Sequence, residues 1–300
     1  ISGLALDGED VLWACDAQSG LYRRQDGVWQ REQGVNRPVE ILVGPDNSQW
    51  IRLANGGLLL RRGDQRRSLR HSEGQGNLRG SRVRSMAIDQ SGSLWAGTND
   101  GITEFFDPFF TLEGEDGSTV FSNEGSPMNQ GETVTALAVD GGNRKWVGTE
   151  NGGAWLYDAN NRLVERFTAE NSPLLSNAIQ SIAIQPQTGE VFFATDRGII
   201  SYRGTATQGA SNFEQAKIFP NPVPPNFTGL ISIDGLIGNA RVRITDAGGR
   251  LIWKGQAAGG RATWDGLNYE GKPAQRGVYF VFATNQDGSE SFAGKIALVK

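Results

Sequence analysis

The sequence predicts an all-β chain: a β-propeller, seen as about five blades of a larger ring, followed by a small antiparallel β-sandwich. Three observations predict it. One grammar recurs five times over the first two-thirds of the chain: a short strand, a polar turn, an aromatic-led strand, a second turn and a restart at glycine. The aromatic anchors Trp13, Trp50, Trp95, Trp146 and Phe192 fall roughly 40–50 residues apart, the period of four-stranded blades. That period stops at 205–212 (TATQGASN), beyond which short apolar runs alternate with dense turn signals.

The five copies open near residues 1, 38, 83, 134 and 179, and the third, VRSMAIDQSGSLWAGTNDGI, is the most regular. Its first strand runs small, large, Ala, large, Asp (Ser85, Met86, Ala87, Ile88, Asp89), and the fourth copy repeats this as Ala136, Leu137, Ala138, Val139, Asp140. Strand side chains alternate between faces, so one face is small and the other large. Sheets stacked face to face and crowded near an axis need that pattern. The turns that follow are built from Asp, Gly, Asn and Ser, which supply local hydrogen bonds and positive φ. Asp89-Gln90-Ser91-Gly92-Ser93 shares letters with calcium loops but lacks their ligand series, and reads as a hairpin turn. After the anchor, Gly20, Gly56, Gly101, Gly152 and Gly198 restart the chain. No repeat buries both its faces alone, so stacking supplies the core. Cys15 falls where other copies carry Gly97, Gly148 and Ala194, and reads as a small buried filler.

Between the second and third copies, residues 61–84 hold eight Arg against Asp64 and Glu73. Arg61, Arg62, Arg66, Arg67 and Arg70 are therefore the candidate ligand-binding residues, because guanidinium forks suit phosphate or acidic sugar. The plainer reading is a solvated outer strand and loop. Arg62-Gly63-Asp64 matches an adhesion tripeptide by letter only. Between the third and fourth copies lies an acidic insertion, 107–132, with Phe105, Phe106, Phe109 and Phe110 at its start. These aromatics read as packing for the outer blade strands, with a partner-docking patch as the alternative.

The expected domains are blades over 1–204, a linker over 205–212 and a seven-stranded Ig-like β-sandwich over 213–300. In RVRIT, Val242 and Ile244 point one way while Arg241 and Arg243 point the other. VYFVFAT is apolar at nearly every position and reads as a central strand, and KIALVK reads as the last. Trp253 and Trp264 are the expected core anchors.

Bulk properties bound the function. Net charge is −4, which argues against nucleic acid as a partner, and it divides unevenly: from residue 213 onward 10 basic residues face 7 acidic ones, and the remainder is 19 against 26. With one Cys and one His, His71, neither a zinc site nor a Cys–His nucleophile is expected, and no metal or cofactor. The acids sit mostly in turn positions shared by the repeats, so no catalytic residue is expected. No run is long enough to span a membrane. The chain opens at Ile1 inside a strand, without Met, and is read as a fragment lacking upstream blades and an export signal.

LWAGTNDGI, with its echoes KWVGTENGG and FFATDRGII, resembles the two-component regulator propeller repeat over about residues 1–204. IFPNP, ITDAGGRLIW, TWDGLNYEG, RGVYFVFA and KIALVK resemble, in that order, the C-terminal sorting domain of the type IX secretion system of Bacteroidetes. The combination, with GGRATWDG and the ending VFATNQDGSESFAGKIALVK, is similar to the surface components of the type IX attachment complex. The resemblance implies an exported protein at the cell surface, associated with the outer membrane, without chemistry of its own. It implies a retained C-terminal domain, the sortase and outer-membrane shuttle proteins as partners, and anionic lipopolysaccharide as ligand. The alternative is a secreted cargo protein with a carbohydrate-binding or adhesive propeller and a cleavable C-terminal domain. Regulator repeats also form sensor domains of histidine kinases, but a spanning helix is then expected where this sequence has a sandwich.

Overall fold

The computed structural model describes residues 1–299; Lys300, at the end of the expected KIALVK strand, lies outside them. Five antiparallel sheets follow one another along the first two-thirds of the chain. The first has strands β1 (Gly3–Leu6), β2 (Leu12–Asp16), β3 (Gly20–Gln25) and β4 (Val28–Arg31). The second has β5 (Pro38–Val43), β6 (Gln49–Leu53), β7 (Leu58–Arg62) and β8 (Gln65–Leu69). The third has β9 (Val83–Ile88), β10 (Leu94–Thr98) and β11 (Gly101–Phe105); helix α1 (Pro108–Leu112) precedes its fourth strand, β12 (Ser118–Thr119). The fourth has β13 (Val134–Val139), β14 (Lys145–Thr149), β15 (Ala154–Tyr157) and β16 (Leu163–Phe167). The fifth has only β17 (Ile179–Gln185), β18 (Glu190–Thr195) and β19 (Gly198–Arg203), one strand fewer than the repeat predicts. Neighbours in each sheet are consecutive in sequence, the up-and-down order of propeller blades.

The anchors hold equivalent registers. Trp13 stands opposite Ala5, Trp50 opposite Leu42, Trp95 opposite Ala87 and Trp146 opposite Ala138. Each reaches into the following blade. Trp13 packs with Ile41, Ile51 and Leu59, and Trp50 with Met86, Ala96 and Phe105. Trp95 packs with Val134, Val147 and Tyr157, and the Trp146 ring lies 5.7 Å from that of Phe193. The receiver is the residue after the next anchor: Ile51, Ala96, Val147, Phe193. Phe192 corrects the expectation of a fifth buried anchor. Like the other anchors it precedes a receiver, Phe193, and points to the opposite face, but among the described residues no further sheet of the repeat follows to receive it, and it remains 37% exposed.

The glycine of the WAGT and WVGT motifs serves the same stacking. A Cβ on Gly97 would sit 2.6 Å from Val134 Cγ1, on the first strand of the next blade, and one on Gly148 would strike Ile179. Cys15 fills this place in the first blade, fully buried as expected. Burial, with the nearby Glu40 carboxylate, pushes its thiol up to about 12, which leaves it inert. The threonine after this glycine, or after Ala194 in the fifth blade, caps the second turn. Thr98 Oγ1 donates to Gly101 O at 2.9 Å, Thr149 Oγ1 to Gly153 O at 3.1 Å and Thr195 Oγ1 to Gly198 O at 2.9 Å. In the fourth blade the left-handed restart is Gly153 (φ 83°) rather than Gly152, because that turn is one residue longer.

The first turn of the first, third and fourth blades, and the last turn of the fourth, share a fixed chemistry. Asp7, Asp89, Asp140 and Asp158 each accept, through Oδ1, the amides two and four residues ahead at 2.8–3.1 Å. The residue between those amides is left-handed: Asp10, Gly92, Asn143 and Asn161. The carboxylate thus replaces a turn partner, and the hairpin reading of 89–93 holds.

The insertion after β11 differs from the aromatic packing expected of it. Phe105 is buried against Trp50 at 5.5 Å, but Phe106, Phe109 and Phe110 are 57, 47 and 53% exposed. The last two lie on α1, whose start is capped by Asp107 Oδ1 accepting Phe109 N at 2.7 Å.

The chain divides into two compact units: 1–139 with 145–182 and 193–200, and 140–144 with 183–192 and 201–300. In the second, β20 (Lys217–Phe219), β21 (Ile231–Asp234) and β24 (Ala262–Trp264) form one sheet. The other has the order β23 (Leu251–Gln256), β22 (Arg241–Asp246), β25 (Gly277–Thr284), β26 (Ser291–Leu298). These seven strands enclose one core of Ile231, Ile233, Val242, Ile244, Trp264 and Val281 among others. The VYFVFAT strand is central, paired on both sides, and Trp264 is fully buried, whereas Trp253 is only partly so. The 205–212 stretch, expected as a linker, is built into this unit through parallel bridges Thr207–Gly259 and Ala210–Ile237. In the same unit Arg261 pairs with Asp234 and donates to Thr188 O at 3.2 Å and to Gly204 O, just before this stretch, at 3.3 Å. Among the described residues, no helix is long and apolar enough to cross a membrane.

Candidate functional site

The five candidate arginines share the β7–β8 hairpin and its exit but differ in what they touch. Arg61 is held in place: its Nη2 meets Glu32 Oε2 at 3.1 Å, and its guanidinium lies 5.7 Å from the Trp13 ring. Arg67 is more strongly fixed. It donates to Thr111 O at 2.8 Å, Glu115 O at 2.5 Å and Asp116 Oδ1 at 2.7 Å, tying the hairpin to the 107–117 insertion. Burial raises the Asp116 pKa, but the Gly76 and Gly74 amides and Arg67 outweigh it and hold the carboxyl below its usual range. Arg62 pairs loosely with Asp46 at 3.6 Å and is exposed. Arg66 and Arg70 are exposed, without an ion pair among the described residues. The hairpin therefore presents Arg62, Arg66 and Arg70 outward and uses Arg61 and Arg67 internally.

The first strands of the blades build a second polar site. At the same step in three blades a residue is skipped by the pairing: Val39 in β5, Arg84 in β9 and Thr135 in β13. Such bulges re-aim a side chain at a rim. These residues and Gln180 line a cavity of about 680 Å³, with Arg52, Arg82 and Glu150 beside them. A second cavity of about 480 Å³ reaches the first strands of all five blades, from Gly3 to Ser181, which marks it as the channel. Arg52 is neutralised by Glu40 at 2.7 Å, whereas Arg82 and Arg84 are exposed and have no ion pair among the described residues. Both belong to the arginine-rich stretch 61–84 but are not among the five named candidates, since the bulge that turns Arg84 inward is visible only in the register.

One titratable cluster is buried between blades. Lys145 Nζ lies 3.2 Å from Asp89 Oδ2 and 4.7 Å from the Trp95 ring centre, with both charged side chains almost wholly buried. Beside them burial, together with the Asp89 carboxylate, raises Glu104 to about 7 against the opposing pull of Lys145. Packed away from both cavities, the trio joins blades and faces no ligand.

Residues 77–100, which contain the Arg82–Arg84 stretch and the third blade's anchor, match the family model "Two component regulator propeller". No curated protein matches the sequence. Among solved structures, PorZ of Porphyromonas gingivalis superposes over 99% of this chain with a TM-score of 0.65 and 22% identity. The fold is PorZ-like. PorZ is described as an essential bacterial surface component of the type-IX secretion system. The extracellular domains of two B. thetaiotaomicron two-component-type proteins also superpose over 99% of the chain: BT3049 (TM-score 0.54, 15% identity) and BT4673 (TM-score 0.50, 15% identity). The chain spans 44% of PorZ, 55% of BT3049 and 44% of BT4673. Against PorZ the superposed length includes both the blades and the sandwich, so the likeness covers their order along the chain as well as each fold.

Proposed function

We propose that this chain is a non-catalytic surface component of the type IX secretion and attachment machinery, which binds anionic lipopolysaccharide and presents it to the sortase. The observation that carries this reading is the run of regulator-type blades followed directly by a seven-stranded sandwich, superposable on PorZ over nearly the whole chain. The sortase and outer-membrane shuttle proteins are its partners, and the outer face of the outer membrane its place. A non-catalytic role suits the carboxylates: Asp7, Asp89, Asp140 and Asp158 serve their own turns. Arg62, Arg66 and Arg70 are the ligand-binding residues in this reading, since each offers donors outward.

Two measurements test it. Lipopolysaccharide bearing anionic sugars should bind the full protein and co-purify with it and the sortase, and Arg66→Glu with Arg70→Glu should weaken binding at least about tenfold. Intact mass of the surface protein separates this reading from the cargo alternative. Loss of the sandwich from the mature form would establish cargo, and unchanged binding in the double variant would remove the hairpin as the site.

A further inference from the structure

The outer face of the four-stranded sandwich sheet presents an apolar stripe edged by cations. Side chains alternate along β25, so Tyr279, Val281 and Ala283 enter the core while Val278, Phe280 and Phe282 turn away from it, 46, 41 and 44% exposed. The ladder places their neighbours. Phe282 stands between Arg243 on β22 and Ala293 on β26, and Phe280 between Thr245 and Lys295. Lys254 on β23 lies beyond Arg243, and Arg241 is opposite Thr284. All four cations are exposed, without an ion pair among the described residues.

No carboxylate from these four strands shares this face. Asp246, which ends β22, stands opposite Tyr279 on the other face and pairs with Arg250 at 3.1 Å. Asp287 and Glu290 belong to the turn between β25 and β26, at the opposite end of the sheet. Single exposed apolar residues are ordinary, but three in file on a central strand form a patch.

Charge, chemistry and size together choose the occupant. A two-fold contact with a second copy of this face would set cation against cation. Val278, Phe280 and Phe282 carry no polar side-chain atom, so the stripe offers nothing to the hydroxyls of a glycan. Strand spacing and rise make the face about 19 by 27 Å, about 500 Å², against the roughly 800 Å² that each partner gives to a stable protein interface. A lipid surface sets no such minimum, since attachment grows with each apolar group inserted and each cation held near anionic headgroups. We propose that this face docks on an anionic phospholipid bilayer, the stripe entering the boundary between headgroups and acyl chains and the four cations meeting headgroup phosphates. The proposal does not rest on the lipopolysaccharide reading of the β7–β8 hairpin, because every residue it uses belongs to the sandwich.

Flotation of the full protein with vesicles tests it, using phosphatidylcholine alone and phosphatidylcholine mixed with phosphatidylglycerol, both free of saccharide. The protein should float with the anionic vesicles and bind the neutral ones at least about tenfold more weakly. Phe280→Ser with Phe282→Ser removes the stripe and keeps the charge; Arg243→Glu with Lys295→Glu does the reverse. Each pair should weaken binding at least about tenfold. Lys295→Glu alone, a change at one exposed position, should weaken it measurably while thermal unfolding stays unchanged. Arg66→Glu with Arg70→Glu should leave vesicle binding as it is, which separates this face from the hairpin. No flotation with anionic vesicles, equal flotation with neutral ones, indifference to the face variants, or loss in the hairpin variant alone would overturn the proposal. So would a face-dependent dimer in sedimentation equilibrium, or tighter binding of poly-glutamate than of the anionic vesicles, either of which would assign the face to protein.

Discussion

Lys145 opens β14 at the position where the third blade carries Leu94, so a charge stands in an apolar slot. Asp89 and the Trp95 ring, both on the neighbouring blade, make that tolerable. Lys145→Ala should cost about 3–5 kcal/mol in denaturant unfolding, because it strands Asp89 beside Glu104 without a cation. Glu104 makes stability depend on pH with a definite sign. Its folded value, about 7, lies above the ordinary glutamate value of 4.5, so the folded state binds more protons between them. The unfolding free energy should therefore fall, by about 1–3 kcal/mol, as pH rises from about 4.5 to about 7. Glu104→Gln should flatten that slope; an equally steep slope in the variant would place the titrating group elsewhere. None of this trio was legible in sequence. Asp89 was visible as a turn residue, but its partner is 56 positions away and is chosen by stacking.

Between blades, the repeating contact is the tryptophan of one sheet seated on the residue that follows the anchor of the next. Trp146→Ala removes a fully buried ring that touches both Phe167 and Phe193, and should cost about 3–5 kcal/mol. Phe192→Ala, at the corresponding place in β18, should cost less than about 1 kcal/mol, since its ring is partly exposed. Equal losses from the two changes, measured by thermal unfolding, would contradict the directional seating. The turn caps are separable from this packing. Thr98→Val keeps the shape but loses the hydroxyl that meets Gly101 O and the Asp100 amide, and should cost about 1 kcal/mol. Period and residue size made the anchors readable from sequence. The position of Phe192 relative to its neighbours was not, because a strand's letters do not say which face is covered.

Across the whole molecule, charge rather than apolar surface distinguishes the proposed lipopolysaccharide site, as the chain is acidic overall yet gathers exposed Arg62, Arg66 and Arg70 on one hairpin. Binding there should weaken steeply as salt rises from about 50 to 500 mM, as screening predicts for exposed charges. Salt-independent affinity would remove the arginine hairpin as the site. The sequence disclosed the propeller, the seven-stranded sandwich and the arginine cluster. It could not divide those arginines into Arg61 and Arg67, tied to Glu32 and Asp116, and the three left outward, since the ties join separate segments. The seating of Trp13, Trp50, Trp95 and Trp146 on the following sheets has a consequence for descent. Each unit carries both a plug for its successor and a socket for its predecessor. Tandem duplication of one such stretch of gene would thus add a sheet that fits on both sides at once, and the number of units could drift without any new interface having to evolve.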